Sequence, residues 1–212
     1  RTDNTVALAR LCLESLNGEE QAVGALLTWL DQMARANALV LSDVPSAQQS
    51  RRVFERSLIA ALGDNDTTSS VAYNLRAVRN AASSVRERLS FEHWNLIVRA
   101  QQEHAQAFAA LEDQGDYAAL DALDILKVTG QHMAAITGSQ TDRMTRDDGW
   151  RLLSIGRHIE RLAFLSNALA LGLETGSVHN DAGFEAMIAL FDSTISFRAH
   201  FQQNREIVAL VD

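Results

Sequence analysis

The clearest structural signal in the sequence lies at residues 71–89, which read VAYNLRAVRNAASSVRERL. Its apolar residues recur at alternating spacings of four and three: Val71, Leu75, Val78, Ala82, Val85 and Leu89. This spacing places all six side chains in one narrow row along an α-helix, similar to the seam of a coiled coil. The stretch therefore predicts a helix that packs against other helices along one side.

The composition of the whole chain extends this prediction. The 212 residues include a single proline, whereas average usage of about 5% would give roughly ten. Hydrophobic residues make up 47% of the chain and charged residues 22%, so the chain can bury a core and does not have the composition of a disordered protein. We therefore predict an all-α fold, a single compact bundle of about eight helices that forms one domain over residues 1–212.

Glycine, proline and short polar runs divide the sequence into these helices. The expected segments are 3–16, 19–40, 45–63, 70–89, 91–112, 117–136, 145–174 and 182–210. Thr145 is the expected N-cap of the seventh helix, with Asp148 at the third position of a capping box. A faint internal repeat aligns Arg1 with Arg161. It suggests a weak duplication, with a further Gly-Arg-x-x-Glu segment before Arg1.

Charge and cysteine content exclude several classes of protein. The net charge is −8, which argues against a surface that follows nucleic-acid phosphates. The single cysteine, Cys12, cannot form an internal disulfide, and its position between two leucines predicts a small buried side chain in a reducing compartment. No apolar run is long enough to span a membrane and no signal peptide is visible. We therefore expect a cytoplasmic protein.

A row of arginines lies beside the apolar row of the fourth predicted helix. Arg76, Arg79 and Arg86 each follow a seam position by one residue, about 100° around the helix. Neighbouring guanidinium groups repel one another, so carboxylates or a bound anion should face them. Two interpretations stay open: ion pairs between helices, or a binding site for an anion or a carboxylate.

A second polar cluster lies at residues 156–161, GRHIER. On a helix, Glu160 continues the side formed by Trp150, Leu153 and Gly156, which would carry its carboxylate toward the interior. A mid-helix glycine costs about 1 kcal/mol, so Gly156 suggests close approach of another helix. The cluster is either a structural ion pair or the wall of a polar pocket. Asp192, on the last predicted helix, is a further candidate partner for an arginine.

The remaining residues give no sign of a metal or cofactor site. The six histidines show neither Glu-x-x-His nor His-x-x-x-His spacing, which disfavours the di-iron bundle and zinc-protease patterns. They are interpreted as surface or boundary residues. There is no phosphate-binding loop, and Lys127 is the only lysine. We therefore expect no cofactor.

Residues 144–161 resemble a motif of the bacterial alpha-E domain family, in which Gly-Trp is followed by Gly-Arg-x-x-Glu-Arg. Three other stretches are similar to family segments in the same order: 1–5, 74–94 and 192–198. The sequence departs from the family at Asn80, where an acidic residue is more usual, and at Phe197, where tyrosine is. By this resemblance, we expect the sequence to begin inside the first family motif and to end before the usual C-terminal tail.

The resemblance implies a helical domain that accompanies, or is fused to, ATP-grasp ligases and transglutaminase-like proteins. The family positions that carry over are Asp3, Asn4, Arg79, Arg86, Arg157, Glu160, Arg161, Asp192 and Arg198. The leading hypothesis is an accessory domain of an ATP-grasp ligase system that makes amide or peptide bonds. It would bind a partner protein or an anionic peptide. Two alternatives are an enzyme of peptide or amide metabolism with Glu160 as its acid or base, and a purely structural bundle.

Overall fold

The computed structural model describes residues 1–18, 21–67, 69–113, 118–201 and 207–210. These residues form helices joined by short connections, with no strand among them, so the predicted all-α fold is confirmed. The helices described are α1 (Thr2–Asn17), α2 (Gly24–Ala36), α3 (Arg51–Gly63), α4 (Val71–Ser83), α5 (Phe91–Asp113), α6 (Ala119–Arg143), α7 (Asp148–Glu174), α8 (Asp181–Leu190) and α9 (Thr194–Phe201). Three short 3₁₀ turns cover Arg86–Arg88, Ser177–His179 and Ile207–Leu210.

Helix α1 lies at the centre of the bundle. Its inward row of Leu8, Cys12, Leu13 and Leu16 is buried, and it packs against α2, α3, α4, α6 and α8. The thiol of Cys12 is fully enclosed, as the sequence predicted, and burial raises its pKa to about 12. Cys12 therefore acts as a small apolar core residue.

The long helix α7 runs along the outside of this core. Its most extensive contacts are with α2, α8 and the 3₁₀ turn Ser177–His179. Trp29 of α2, which is fully buried, donates its indole N–H to the carbonyl of Ala168 at 2.9 Å. This bond fixes the C-terminal half of α7, whereas residues 151–159 are almost all exposed.

Several predicted boundaries were wrong. Helix α6 continues through Gly138 to Arg143, where the sequence indicated a loop. Pro45 precedes α3 by six residues, instead of starting it. Asp147, not Thr145, caps α7, because its carboxylate accepts the backbone N–H of Trp150. The segment expected as one helix over 182–210 is divided into α8 and α9.

The division of the last helix has a clear physical cause. Asp192 adopts a left-handed backbone conformation with φ of 54°. The N–H of Ser193 then reaches back to the carbonyl of Ile188 at 3.2 Å. This is the bond pattern of a Schellman helix end, which asparagine or aspartate can support without glycine.

Candidate functional site

Glu160, in the middle of α7, contacts the first turn of α1. Its carboxylate accepts hydrogen bonds from Nε of Arg1 at 3.0 and 3.2 Å, and its backbone carbonyl accepts the side-chain N–H of Asn4 at 3.4 Å. The side chains of Arg1 and Glu160 are 65% and 44% exposed. The pair therefore joins two distant parts of the chain at the surface.

This arrangement differs from the one that the sequence predicted. The side of α7 that includes Leu153 and Gly156 is exposed, so Glu160 is not carried into the interior. Arg157 does not pair with it; the partner is Arg1, which sequence reasoning missed as a site residue. The weak repeat that aligns Arg1 with Arg161 was the one signal that pointed to it.

A cavity of about 620 Å³ opens beside this ion pair. It lies between the start of α1, the C-terminal half of α6 and the first half of α7. Its polar lining includes Arg1, Asp3, Asn4, Arg157, Glu160 and Arg161. The lining also includes apolar side chains such as Met133, Ile136 and Leu153. The volume falls within the range of about 300–1,000 Å³ that is usual for ligand pockets.

The charges of this lining are unequal. The lining contains three arginines and two acidic residues. Both carboxylate oxygens of Glu160 already accept a hydrogen bond from Nε of Arg1. Arg157 is exposed and makes no hydrogen bond or ion pair with any described residue. Its guanidinium group is therefore available to an anionic ligand.

A second cavity, of about 580 Å³, brings Asp192 together with two predicted residues that also line the first cavity. Asp3, Arg161 and Asp192 line it, with Arg10, Glu14 and Lys127. Arg161 is not free here, because its Nη2 donates to the backbone carbonyl of Phe191 at 2.7 Å. Arg161 thereby caps the end of α8 and also contributes charge to the first cavity.

A smaller and more polar pocket, of about 270 Å³, lies on the other side of the Arg1–Glu160 pair. Four asparagines line it: Asn4, Asn37, Asn74 and Asn167. The side-chain N–H groups of Asn37 and Asn74 donate to the carbonyls of Met33 at 2.9 Å and Ser69 at 3.2 Å. Sequence reasoning missed all of these but Asn4, because scattered asparagines show no periodic signal.

The three arginines of the predicted row bond elsewhere, to neutral oxygens. Arg76 donates to the carbonyl of Asn65 at 2.5 Å and Arg79 to the amide oxygen of Gln101 at 2.8 Å. Arg86 donates to the carbonyl of Leu89 and lies over the ring of Trp94 at 5.2 Å. Helix α4 ends at Ser83, so Arg86 belongs to a separate 3₁₀ turn. The row therefore does not join the cavity beside Glu160.

The remaining candidates lie apart from that cavity or inside the core. Arg198 bonds to the carboxylate of Glu185 at 3.0 Å. Two histidines, His93 and His104, are buried, contrary to the surface or boundary positions that the sequence indicated. Within the part of the chain that the structure describes, no group of three or more His, Cys, Asp or Glu side chains is placed to hold a metal ion.

Fold and site together define a class of protein: an all-α domain with an ion pair between the residue that precedes α1 and the middle of α7, and a cavity beside that pair. The chain belongs to the Alpha-E family, described as a predicted alpha-helical domain with a conserved ER motif, whose model matches residues 1–212. Of the three Glu-Arg dipeptides in the sequence, the one at 160–161 lies at this cavity.

Other comparisons add no relatives. Neither the curated proteins nor the solved structures gave a significant match to this chain. None of the helices described for residues 1–210 combines the length and the apolarity needed to cross a membrane.

Proposed function

We propose that this domain is an accessory binding module of an ATP-grasp ligase system that forms amide or peptide bonds. In this proposal the cavity beside Glu160 takes an anionic stretch of polypeptide, from the ligase or from its peptide substrate. The partner class comes from the family resemblance; the mode of binding comes from the residues of the cavity.

The observation that carries the proposal is the exposed guanidinium of Arg157, which lies at an open cavity and pairs with none of the described residues. Glu160 is already bonded to Arg1, so it does not neutralise Arg157. A carboxylate of the ligand can accept two parallel hydrogen bonds from a guanidinium group, which is a strong and directional contact.

The apolar lining supports a polypeptide rather than a small inorganic anion. Met133 and Ile136 of α6 and Leu153 of α7 line the same cavity as the arginine. In a peptide with one acidic residue and neighbouring apolar side chains, the carboxylate would bind the arginine and the apolar side chains would pack on the apolar lining. Ligand pockets commonly combine an apolar lining with a few placed polar groups.

The two alternatives fit the geometry less well. An acid–base role for Glu160 calls for a buried carboxylate, whereas this side chain is nearly half exposed and bound to an arginine. A purely structural role would rest on the exposed Arg1–Glu160 ion pair, and such a pair contributes only about 0–1 kcal/mol to stability.

The direct test measures binding of the cognate ATP-grasp ligase by isothermal titration calorimetry. An Arg157→Ala variant should bind the ligase on the order of tenfold more weakly or worse, because a hydrogen bond to a charged group contributes about 1.5–3 kcal/mol. The matched control is Arg52→Ala, which removes an exposed arginine of α3 outside the cavity.

A second arm uses a fluorescein-labelled peptide of alternating leucine and glutamate, with a leucine–lysine peptide as its charge-reversed control. Preferential binding of the acidic peptide, lost in Arg157→Ala, would support the proposal. If neither the ligase nor the acidic peptide binds, or if Arg52→Ala weakens binding as much as Arg157→Ala, the cavity is not the binding site.

A further inference from the structure

Helix α7 presents an apolar face to solvent. Leu152, Ile155, Ile159 and Leu162 are 70%, 54%, 60% and 69% exposed. The opposite side of the same helix packs on the core through buried Phe164, Ala168 and Gly172. The exposed apolar residues are thus not part of the hydrophobic core described above.

The centre of this face carries a regular row of six residues, which we call the α7 seam: Leu152, Gly156, Ile159, Ala163, Ser166 and Ala170. Their spacings alternate four and three, which is the pattern of helices that pair over their length. All six residues are exposed. The large side chains, Leu152 and Ile159, lie in the first half of the row, and glycine, alanine or serine occupies the other four positions.

We propose that the α7 seam is the interface between two copies of this chain, with the two α7 helices antiparallel. A twofold axis near position 161 brings Leu152 opposite Ala170 and Ile159 opposite Ala163 of the second copy. It also sets Gly156 opposite Ser166. Every large side chain then meets a small one, in both directions, as a symmetric interface requires.

The exposed apolar area of α7 is large enough for an interface with a second copy of the chain. The four large side chains of the face present on the order of 450 Å² of apolar surface. A standard interface buries about 800 Å² on each partner, of which roughly 60% is apolar. The face therefore supplies the apolar share of one such interface.

Two further features fit a second copy. A Cβ built on Gly156 meets no atom within 4 Å, so this glycine has no packing reason within the described chain, whereas close approach of another helix would give it one. Leu152, Gly156 and Ile159 also border the cavity beside Glu160. A helix seated on the seam would therefore close one side of that cavity.

The first test is the molar mass of the intact chain by light scattering after size-exclusion chromatography. A dimer of about 47 kDa is expected, twice the 23.3 kDa of one chain. An Ile159→Glu variant should be monomeric, with a dissociation constant raised on the order of a hundredfold, because it places two charges in the seam. The control Ile195→Glu alters an isoleucine of α9 that is 87% exposed and lies off the seam.

Cysteine cross-linking tests the antiparallel arrangement. The double variant Leu152→Cys with Ala170→Cys should form a covalent dimer on mild oxidation. Ala170→Cys alone should not, because the two copies of position 170 would lie about 27 Å apart along the helix axis. Circular dichroism confirms that each variant is folded.

A 23.3 kDa mass at 100 µM chain would overturn the proposal. So would a dimer that Ile159→Glu leaves intact, or cross-linking through Ala170→Cys alone. Because these readouts involve neither the ligase nor the acidic peptide, they stand apart from the test of the proposed function.

Discussion

At the scale of single residues, Arg1 and Glu160 hold two distant segments together through side chains that water reaches freely. Solvent screening and the entropy of ordering two long side chains leave such pairs with little net effect on stability. The contact between them therefore positions groups at the mouth of the cavity more than it stabilises the fold. Glu160 therefore differs from acidic residues that are buried in the core, whose hydrogen bonds do stabilise the fold.

We expect Glu160→Gln to lower the free energy of unfolding by less than about 1 kcal/mol, a change of melting temperature below about 4 °C. Asp31→Asn is the comparison. Asp31 is buried and accepts bonds from Arg35 at 2.8 and 3.3 Å and from the N–H of Ala47 at 2.9 Å. Its substitution should cost about 2–3 kcal/mol. Urea denaturation of both variants measures the difference. If both variants lost the same free energy of unfolding, the Arg1–Glu160 pair would stabilise the fold as much as the buried Asp31 does, contrary to this prediction.

At the scale of helices, the break between α8 and α9 depends on one residue. Asp192 holds a left-handed conformation that costs most residues about 1–2 kcal/mol. Asp192→Val should destabilise the protein by about that amount, because a β-branched side chain tolerates this conformation poorly. Asp192→Gly should be neutral within about 0.5 kcal/mol, since the freedom of glycine in the unfolded chain offsets the relief. Equal stability of the two variants in guanidinium denaturation would show that the break does not rest on this backbone conformation.

The helices themselves were predictable from the sequence, whereas their ends were not. The row from Val71 to Leu89 indicated a helix, but the structure ends α4 at Ser83 and leaves Val85 exposed. Glycine stopped the predicted sixth helix because it is a weak helix former, yet Gly138 lies inside α6. The break at Asp192 has neither glycine nor proline to announce it. Local preferences of about 1 kcal/mol per residue are too small to fix where a helix ends.

The sequence predicted part of the candidate site. Asp3, Asn4, Arg157, Glu160 and Arg161 meet at one cavity, and the motif resemblance had singled out all five. The arginines of α4 and of the turn after it do not line this cavity, because the direction of their side chains depends on where the helix ends. The apolar wall from α6 carries no chemical signal in a sequence, since its residues look like any other core residues.

At the scale of the whole molecule, two buried histidines make folding depend on pH. His104 lies between α3, α5 and α6, with Nδ1 3.0 Å from the hydroxyl of Thr129 and Nε2 3.3 Å from the carbonyl of Leu62. Burial lowers its pKa to about 4, from an ordinary value of 6.5, and burial also lowers the pKa of His93. Both imidazoles are therefore neutral in the folded protein near pH 7 and gain protons more readily when it unfolds.

The sign of the effect follows from this difference. Between pH 6.5 and 4 the unfolded chain binds a proton at His104 that the folded chain does not, so stability falls as the pH falls. The loss from His104 should reach about 3 kcal/mol near pH 4. Hydrogen bonds from Thr67 and Asp66 lower the pKa of the Asp64 carboxyl group below 3.8. The N–H of Trp150 and the neighbouring Arg88 do the same for Asp147. These carboxyl groups therefore change stability in a separate, more acidic pH range.

Urea denaturation at intervals from pH 7.5 to 4.5 measures this dependence. In His104→Gln the stability at pH 7.5 should be lower, because the packing in the core is less complete. Its decline between pH 6.5 and 4.5 should be clearly shallower than in the unsubstituted chain, since the main titrating group is gone. The exposed His158→Gln serves as the control and should keep the full decline. If His104→Gln declined as steeply as that control, the acid sensitivity would belong to other groups and the neutral state assigned to His104 would be wrong.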